Sequence, residues 1–444
     1  MRPPAPFICA HATHPDWGMA TALVLAQLHA ALGTAPLQTP STPQSKAQRK
    51  RTPPVKDSHR LALVYMTEGY APHAAVVVER LQAALPAVRD WVGSVQMSIV
   101  ASGVEYSHEP ALAVMLLDIA PAHYRVFNGL HPLSMPHADA NPSAFHAQTA
   151  LVHLDGQTPD IPELIAELAA RTQTGHVFGG ILSHRPETPP QQIAYAGDFA
   201  SSVQPIVFRG GLSGVAFDDR VGIITRVTQG CTPVSTRHTV TKVEGPVVLG
   251  LDDRPALEVL LEDLSLELAQ RHITIPKLRS TFVGLSRSSS ATRHTKELGA
   301  DVRVRHLIGL DIERQGIAIA AASETGDYLQ FCERQTAAAQ TDLVRICTEI
   351  REIVESLNED HAPTAPATRM LGAIYVSCTG RGGPYFGAPH AEMQVIQRAL
   401  GDLPLIGFFA SGEIAAQQLY AYTGVLTVFL DPPAPPQSRP PICA

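Results

Sequence analysis

No CxxC spacing occurs among the six cysteines, which stand at positions 9, 231, 332, 347, 378 and 443 of a 444-residue chain. Thiols scattered this widely predict reduced cysteines rather than a disulfide framework, and no metal site is expected. Long apolar runs are also missing. Near the start only Phe7, Ile8, Cys9 and Ala10 precede His11, His14 and Asp16, too short a run for a signal-peptide core. The charge-free stretch from 414 to 430 is broken by Gln417, Gln418, Thr423, Gly424 and Thr427; it is too polar to cross a membrane and reads as sheet. A cytoplasmic protein with no membrane partner is the expectation. Basic charge is lacking too: 34 Lys and Arg against 41 Asp and Glu leave a formal net charge of -7. Without a clustered basic surface, nucleic acid is excluded as a main partner.

What is present is apolar material for a large core, 45% hydrophobic against 17% charged residues, enough for two domains. The chain also repeats itself. Ala62-Leu63-Val64-Tyr65, the helix lead-in Ala71-Pro72-His73-Ala74, Trp91-Val92-Gly93, Ser102-Gly103-Val104-Glu105 and a closing run to Asp118 recur in order near the end. Their counterparts are Ala373-Ile374-Tyr375-Val376, Ala388-Pro389-His390-Ala391, Leu405-Ile406-Gly407, Ser411-Gly412-Glu413-Ile414 and a closing run to Asp431. Such self-similarity governs architecture before any single residue does. It predicts an α/β fold of two related domains with mixed sheets packed by helices, residues 61–118 and 372–431 forming the same strand, helix, strand, strand unit.

Other segments are plainer. Residues 34–60 are rich in Pro, Ser, Thr and Gln, with Lys46, Arg49, Lys50, Arg51, Lys56 and Arg60 against Asp57, a composition that predicts a disordered insertion. The Pro-rich tail 432–444 reads similarly. Leu343, Ile346, Cys347, Ile350, Ile353, Val354 and Leu357 make one helical stripe and Leu257, Leu260, Leu261, Leu264 and Leu268 another; both read as core. Asp160 and Glu163 have capping-box spacing. Val302 to His306 and Ile317 to Ile319 predict an antiparallel component.

Chemistry concentrates in turns at strand ends. Cys378-Thr379-Gly380-Arg381-Gly382-Gly383-Pro384 follows an apolar strand and precedes a helix beginning near Pro389. A glycine-rich strand-to-helix loop frees backbone N–H groups and places them at a positive helix end, so it suits an anion. Arg381 adds a planar fork for a carboxylate. Neither the phosphate loop nor the dinucleotide fingerprint matches this spacing, so ATP and NAD are disfavoured and no cofactor is expected. The second turn, Ser411-Gly412-Glu413, is placed to bring Glu413 near Arg381, to take a ligand amine or hold the arginine.

At these residues the chain resembles the FIST family, tandem N- and C-terminal domains of signal transduction proteins. The N-terminal likeness runs through residues 61–64, Gly93, Ser102 to Glu105, Gly210 to Gly214 and Val227-Thr228-Gln229-Gly230-Cys231. Leu251-Asp252-Asp253-Arg254-Pro255-Ala256-Leu257 is similar to the start of the second domain. The C-terminal likeness is Cys378-x-x-Arg381-Gly382, then Phe386-Gly387, Glu392, Pro404-x-x-Gly407 and Gly412-Glu413-Ile414. Where the family often has His-Asn before Thr, this chain has Tyr420-Ala421-Tyr422-Thr423. The resemblance implies FIST N-like residues 61–250, preceded by an N-terminal part at 1–33, and FIST C-like residues 251–431. It also implies a sensory domain for small ligands, amino acids being the usual proposal. The expected ligand-binding set is Cys378, Arg381, Gly382, Phe386, Glu392, Ser411, Gly412 and Glu413. A separate signalling partner protein would carry the output.

Two functional classes stand side by side: a sensor that closes on a small zwitterion, and an enzyme. The enzyme reading uses Cys378 as nucleophile on a small metabolite, His390 or Glu413 as base, and loop N–H groups as an oxyanion hole.

Overall fold

The computed structural model describes residues 6–33, 59–135, 145–199, 205–287, 302–321, 323–359 and 367–431. The expected insertion at 34–60, apart from His59 and Arg60, and the tail 432–444 lie outside the described residues. The architecture is mixed α/β, with mixed sheets packed by helices.

The unit seen twice in sequence occurs three times. In the first copy, strand Leu61–Thr67 leads through helix Ala74–Ala84 to the parallel strand Asp90–Gln96. A hairpin (Ser98–Ala101, Val104–Ser107) follows, and Ala111–Leu117 returns antiparallel to the first strand. The copy near the end repeats this with Met370–Cys378, helix Ala391–Leu400, Leu405–Ala410, the hairpin Gly412–Ala416 and Gln418–Tyr420, and Gly424–Leu430. The copy missed in sequence uses Thr149–Leu154, helix Ile161–Ala170, His176–Ile181, the hairpin Gln191–Tyr195 and Val207–Phe208, and Leu212–Phe217. It lacks the Ala-Pro-His-Ala lead-in that made the others legible. Its helix does not use the expected capping box either: Asp160 sits at φ 55 and its side chain makes no cap bond.

Each unit lends its hairpin to another. Ser98–Ala101 pairs with Leu405–Ala410, Gly412–Ala416 with His176–Ile181, and Gln191–Tyr195 with Asp90–Gln96. An edge strand completes each sheet: Phe7–Thr13, Tyr124–Asn128 and Gly222–Thr228 each pair antiparallel with the last strand of a unit. The result is three six-stranded sheets of matching strand order. Alternation divides their faces. Leu61, Leu63 and Tyr65 join Leu151, Phe178, Val376, Phe408 and Phe429 in a central core, whereas Ala62, Val64 and Met66 pack under the helices Trp17–Leu32 and Ala74–Ala84.

A matching glycine lies in the parallel pair of each unit. A Cβ at Gly93, Gly179 or Gly407 would stand 1.7, 2.0 or 1.8 Å from the carbonyl oxygen of Val64, Val152 or Tyr375.

Residues 231–334 form a separate antiparallel body between the edge strand Gly222–Thr228 and helix Thr336–Glu359. Its strands His238–Glu244, Val247–Leu251, Gly316–Ile319, Arg303–Asp311, Thr281–Ser286 and Tyr328–Arg334 pair in turn and close back on themselves. They surround Val240, Val248, Val283 and Phe331 with helix Ala256–Asp263. That helix is shorter than its leucine stripe: Ser265 takes φ 52 and Leu268 lies beyond the end, 37% exposed. The turn Leu251 to Pro255, matched to the family's inter-domain join, lies within this body. Among the described residues no helix is long and apolar enough to cross a membrane.

Candidate functional site

Strand Met370–Cys378 ends at a turn in which the Arg381 N–H donates to the Cys378 carbonyl at 2.8 Å. The turn sends Arg381 inward, to where the first turn of helix Ala391–Leu400 presents Glu392. Both side chains are fully buried. Arg381 Nε donates to Glu392 Oε1 at 2.8 Å, Tyr375 donates to the same oxygen at 2.5 Å, and Ser377 donates to Oε2 at 3.0 Å. A buried ion pair persists where such added bonds satisfy its remaining lone pairs. Burial alone would lower the Arg381 pKa, but Glu392 and Tyr375 outweigh it and hold the group above its ordinary value. The guanidinium also lies over the Phe386 ring, 5.2 Å from its centroid.

Glu413 reaches the same region. Its Oε2 accepts from the Thr423 N–H at 3.1 Å and the Thr423 hydroxyl at 2.9 Å. Burial pushes its pKa up to about 8, against the pull of Thr423 and the Arg381 charge. Arg381 Nη2 and Glu413 Oε1, and beside them Glu105 Oε1, are among the buried side-chain atoms without a hydrogen-bond partner in the described residues. In an interior such atoms are costly and mark places where water or a ligand fits.

Six of the eight expected residues gather: Cys378, Arg381, Gly382, Phe386, Glu392 and Glu413. Gly412 flanks them, with Leu419 and Ile181 beside the position its Cβ would take. Ser411 is exposed at the bend before its strand, where its N–H donates to the Ile181 carbonyl. The expected equivalence of Ser102-Gly103 with Ser411-Gly412 fails in register. Ser102 and Gly103 form the hairpin turn of the first unit, whereas Ser411 joins strand Leu405–Ala410 to the hairpin of the copy near the end.

The anion expected at the helix start is met by the protein itself. Glu105, on the lent hairpin of the first unit, accepts from the Gly383 N–H at 2.9 Å through Oε2, and the amides of Glu392 and Met393 lie near enough to favour its charged form. Its own N–H donates to His390 Nδ1 at 3.0 Å. Burial and the neighbouring Glu392 charge raise Glu105 to about 7, despite those amides. Glu105 appeared in the sequence motif and the helix start near Pro389 was expected, but the sequence did not show that the two meet.

The alternative nucleophile is poorly prepared. Burial and the Glu413 charge push the Cys378 thiol up to about 12, and the thiolate is the nucleophilic form. His390 is occupied at the helix start by the Glu105 amide.

Arg334, from the closed antiparallel body (the barrel), covers the site together with Tyr385 and Tyr422 of the C-terminal unit. Tyr385 donates to the Gly230 carbonyl at 3.2 Å. Arg334 lies over the Tyr385 and Tyr422 rings, 4.2 and 4.8 Å from their centroids. The Tyr422 carbonyl accepts from Arg381 Nη1 at 3.5 Å, and Tyr422 stands at φ 64. The family's frequent Asn at that position suits this left-handed backbone, which Asn tolerates better than Tyr.

The family models fit this chain in tandem: the FIST N domain over residues 60–254 and the FIST C domain over 256–416. The chain belongs to the FIST family. FIST domains are associated with sensing in signal transduction. Two uncharacterised proteins of Mycobacterium tuberculosis, from strains CDC 1551 and H37Rv, are each 27% identical over 394 residues, covering 84% of this chain and 91% of theirs. An uncharacterised Mycobacterium bovis protein is 29% identical over 231 residues, 51% of this chain and 55% of its own.

Glu413 gives this FIST protein a pH dependence of definite sign. Its folded pKa of about 8 lies above the ordinary glutamate value of 4.5, so the folded state holds a proton that the unfolded chain releases earlier. The stabilisation is complete below the unfolded pKa and disappears as pH rises through about 8. Urea unfolding should show stability falling from pH 5 to pH 8, with a slope of up to about 1.4 kcal/mol per unit from this group. Glu413→Gln should flatten that fall; an unchanged slope in the variant would rule out Glu413 as its source.

Proposed function

We propose that this FIST protein is a cytoplasmic sensor that binds an amino acid or a similar small carboxylate and passes the signal to a separate protein. The observation that carries the reading is the pair of buried, unpartnered atoms of opposite character, Arg381 Nη2 and Glu413 Oε1. A zwitterion matches both, its carboxylate on the guanidinium and its ammonium on the glutamate. Because Arg381 is fully buried, binding requires Arg334 of the barrel and Tyr385 of the helix after the glycine-rich loop to move aside first. Ligand ordering beneath them would then bias the barrel's position, which is the change a partner protein reads.

Isothermal titration with the standard amino acids, in buffers of differing ionisation enthalpy, tests this. A bound ammonium favours ionised Glu413, so binding at pH 7 should release close to one proton. Glu413→Gln should keep the fold, weaken binding by about ten- to hundred-fold and abolish proton release. Cys378→Ser should leave affinity unchanged. If none of the amino acids or simple carboxylates gives heat or raises the melting temperature, the reading fails. Turnover of a bound compound that disappears in Cys378→Ser would replace it with the enzyme.

A further inference from the structure

Cys231 and Cys332 stand where the chain passes from the three-sheet core into the barrel and back. Edge strand Gly222–Thr228 runs through Gln229 and Gly230 into Cys231–Pro233, while Tyr328–Arg334 runs through Gln335 into helix Thr336–Glu359. This neck is narrow. Its two strands pair over Cys231 with Arg334, Thr232 with Glu333 and Pro233 with Cys332, and the Gln335 N–H donates to the Gly230 carbonyl at 2.9 Å. The register puts both cysteines on one face of the ribbon as diagonal neighbours, where they share a buried cluster with Phe282, Val304 and Tyr422. Both are free thiols, close enough that each shifts the other's pKa.

We propose that Cys231 and Cys332 are a redox-active dithiol whose reversible disulfide clamps the barrel neck over the Arg381 site. Hydrogen peroxide, a small oxidant, fits the 7% exposure of Cys231. The Cys231 thiolate attacks one peroxide oxygen: an S–O bond forms, the O–O bond breaks, and hydroxide leaves as water after taking a proton. The Cys332 sulfur then attacks the sulfenic sulfur. An S–S bond forms, the S–O bond breaks, and hydroxide departs with the Cys332 proton as a second water. Two thiols are oxidised and one peroxide is reduced. Cys231 is the attacking thiol because the neighbouring Cys332 thiol and the charges of Arg334 and Arg381 lower its pKa against the effect of burial, while Cys332 is raised.

The clamp has a direct route to the site. Gly230, next to Cys231, accepts from Tyr385, and the position its Cβ would take is 3.4 Å from Arg381 Nη1. Tyr422, in the dithiol cluster, accepts from Arg381 through its carbonyl. Fixing the neck therefore holds the lid residues over Arg381; this regulatory part rests on the sensor reading.

The experiment is peroxide treatment of the full chain, thiol blocking and peptide mass mapping without reductant. A peptide joining Cys231 to Cys332, reversed by dithiothreitol, is the expected product; Cys332→Ser should instead leave a sulfenic acid on Cys231 that dimedone traps. Half-buried Cys9 is the internal control, and its oxidation while Cys231 and Cys332 stay free overturns the proposal. Hydrogen exchange then reads the clamp: residues 228–233 and 378–387 should exchange about tenfold more slowly or less in the bridged protein. Equal exchange in both forms overturns the clamp. Neither readout needs a ligand, so a bridge in a protein that binds no amino acid would sink the sensor and keep the dithiol, whereas amino-acid binding without a bridge would do the reverse.

Discussion

Glu392→Ala is expected to destabilise the fold by about 3–5 kcal/mol, because it leaves the fully buried Arg381 guanidinium without its counter-charge. The loss reaches further than the ion pair. Tyr375 and Ser377 both donate to the same carboxylate, so the truncation strands two buried hydroxyls as well. Urea denaturation at pH 7 checks the magnitude, with an unchanged m-value showing that the change lies in stability rather than compactness. The double substitution Arg381→Met with Glu392→Leu should recover much of the loss, since two apolar side chains remove the uncompensated charge. A cost below about 1 kcal/mol for Glu392→Ala would mean that the pair is solvated, and the closed site described above would be wrong.

Gly93→Ala should be more damaging still. The added methyl would lie 1.7 Å from the Val64 carbonyl oxygen and 2.7 Å from its carbon, both backbone atoms of the paired strand. Neither can turn aside as a flexible side chain would, so the parallel pair must separate at its middle. A loss above about 4 kcal/mol, or failure to fold, is expected. Exposed Gly129, with nothing within 4 Å of its would-be Cβ, is the control, and alanine there should stay within about 0.5 kcal/mol of wild type. Circular dichroism melting of the two variants distinguishes them. Equal melting temperatures would contradict the close strand contact repeated at Gly179 and Gly407.

The repeat was legible because its signals are local. Alternating apolar residues mark strands, Ala-Pro-His-Ala marks helix starts at Ala74 and Ala391, and Gly93 and Gly407 each follow two apolar residues, Trp91-Val92 and Leu405-Ile406. The third copy was not legible because it preserves the pairing geometry and little of the wording: Gly179 does the work of Gly93, but Asp160 precedes its helix. Small-residue turns also misled. Ser102-Gly103 and Ser411-Gly412 look alike, yet a glycine permits several backbone shapes and does not say which strand follows.

Composition and local pattern by themselves determined the α/β class, the recurring unit, the free-thiol state expected of the cysteines and the crowding of polar residues around Arg381. Those properties follow from each residue's immediate neighbours along the chain. Tertiary structure decided which unit receives which hairpin, and with it the partners of the two glutamates. Glu105 leaves its own unit to accept from the Gly383 N–H of the unit near the end, while Glu413 sits on a strand paired with His176–Ile181. Strand edges offer the same row of N–H and C=O groups to any partner, so backbone pairing alone does not select among three similar sheets. The choice is made by which side chains fill the shared core and which polar atoms find partners once it closes, and both depend on residues hundreds of positions apart.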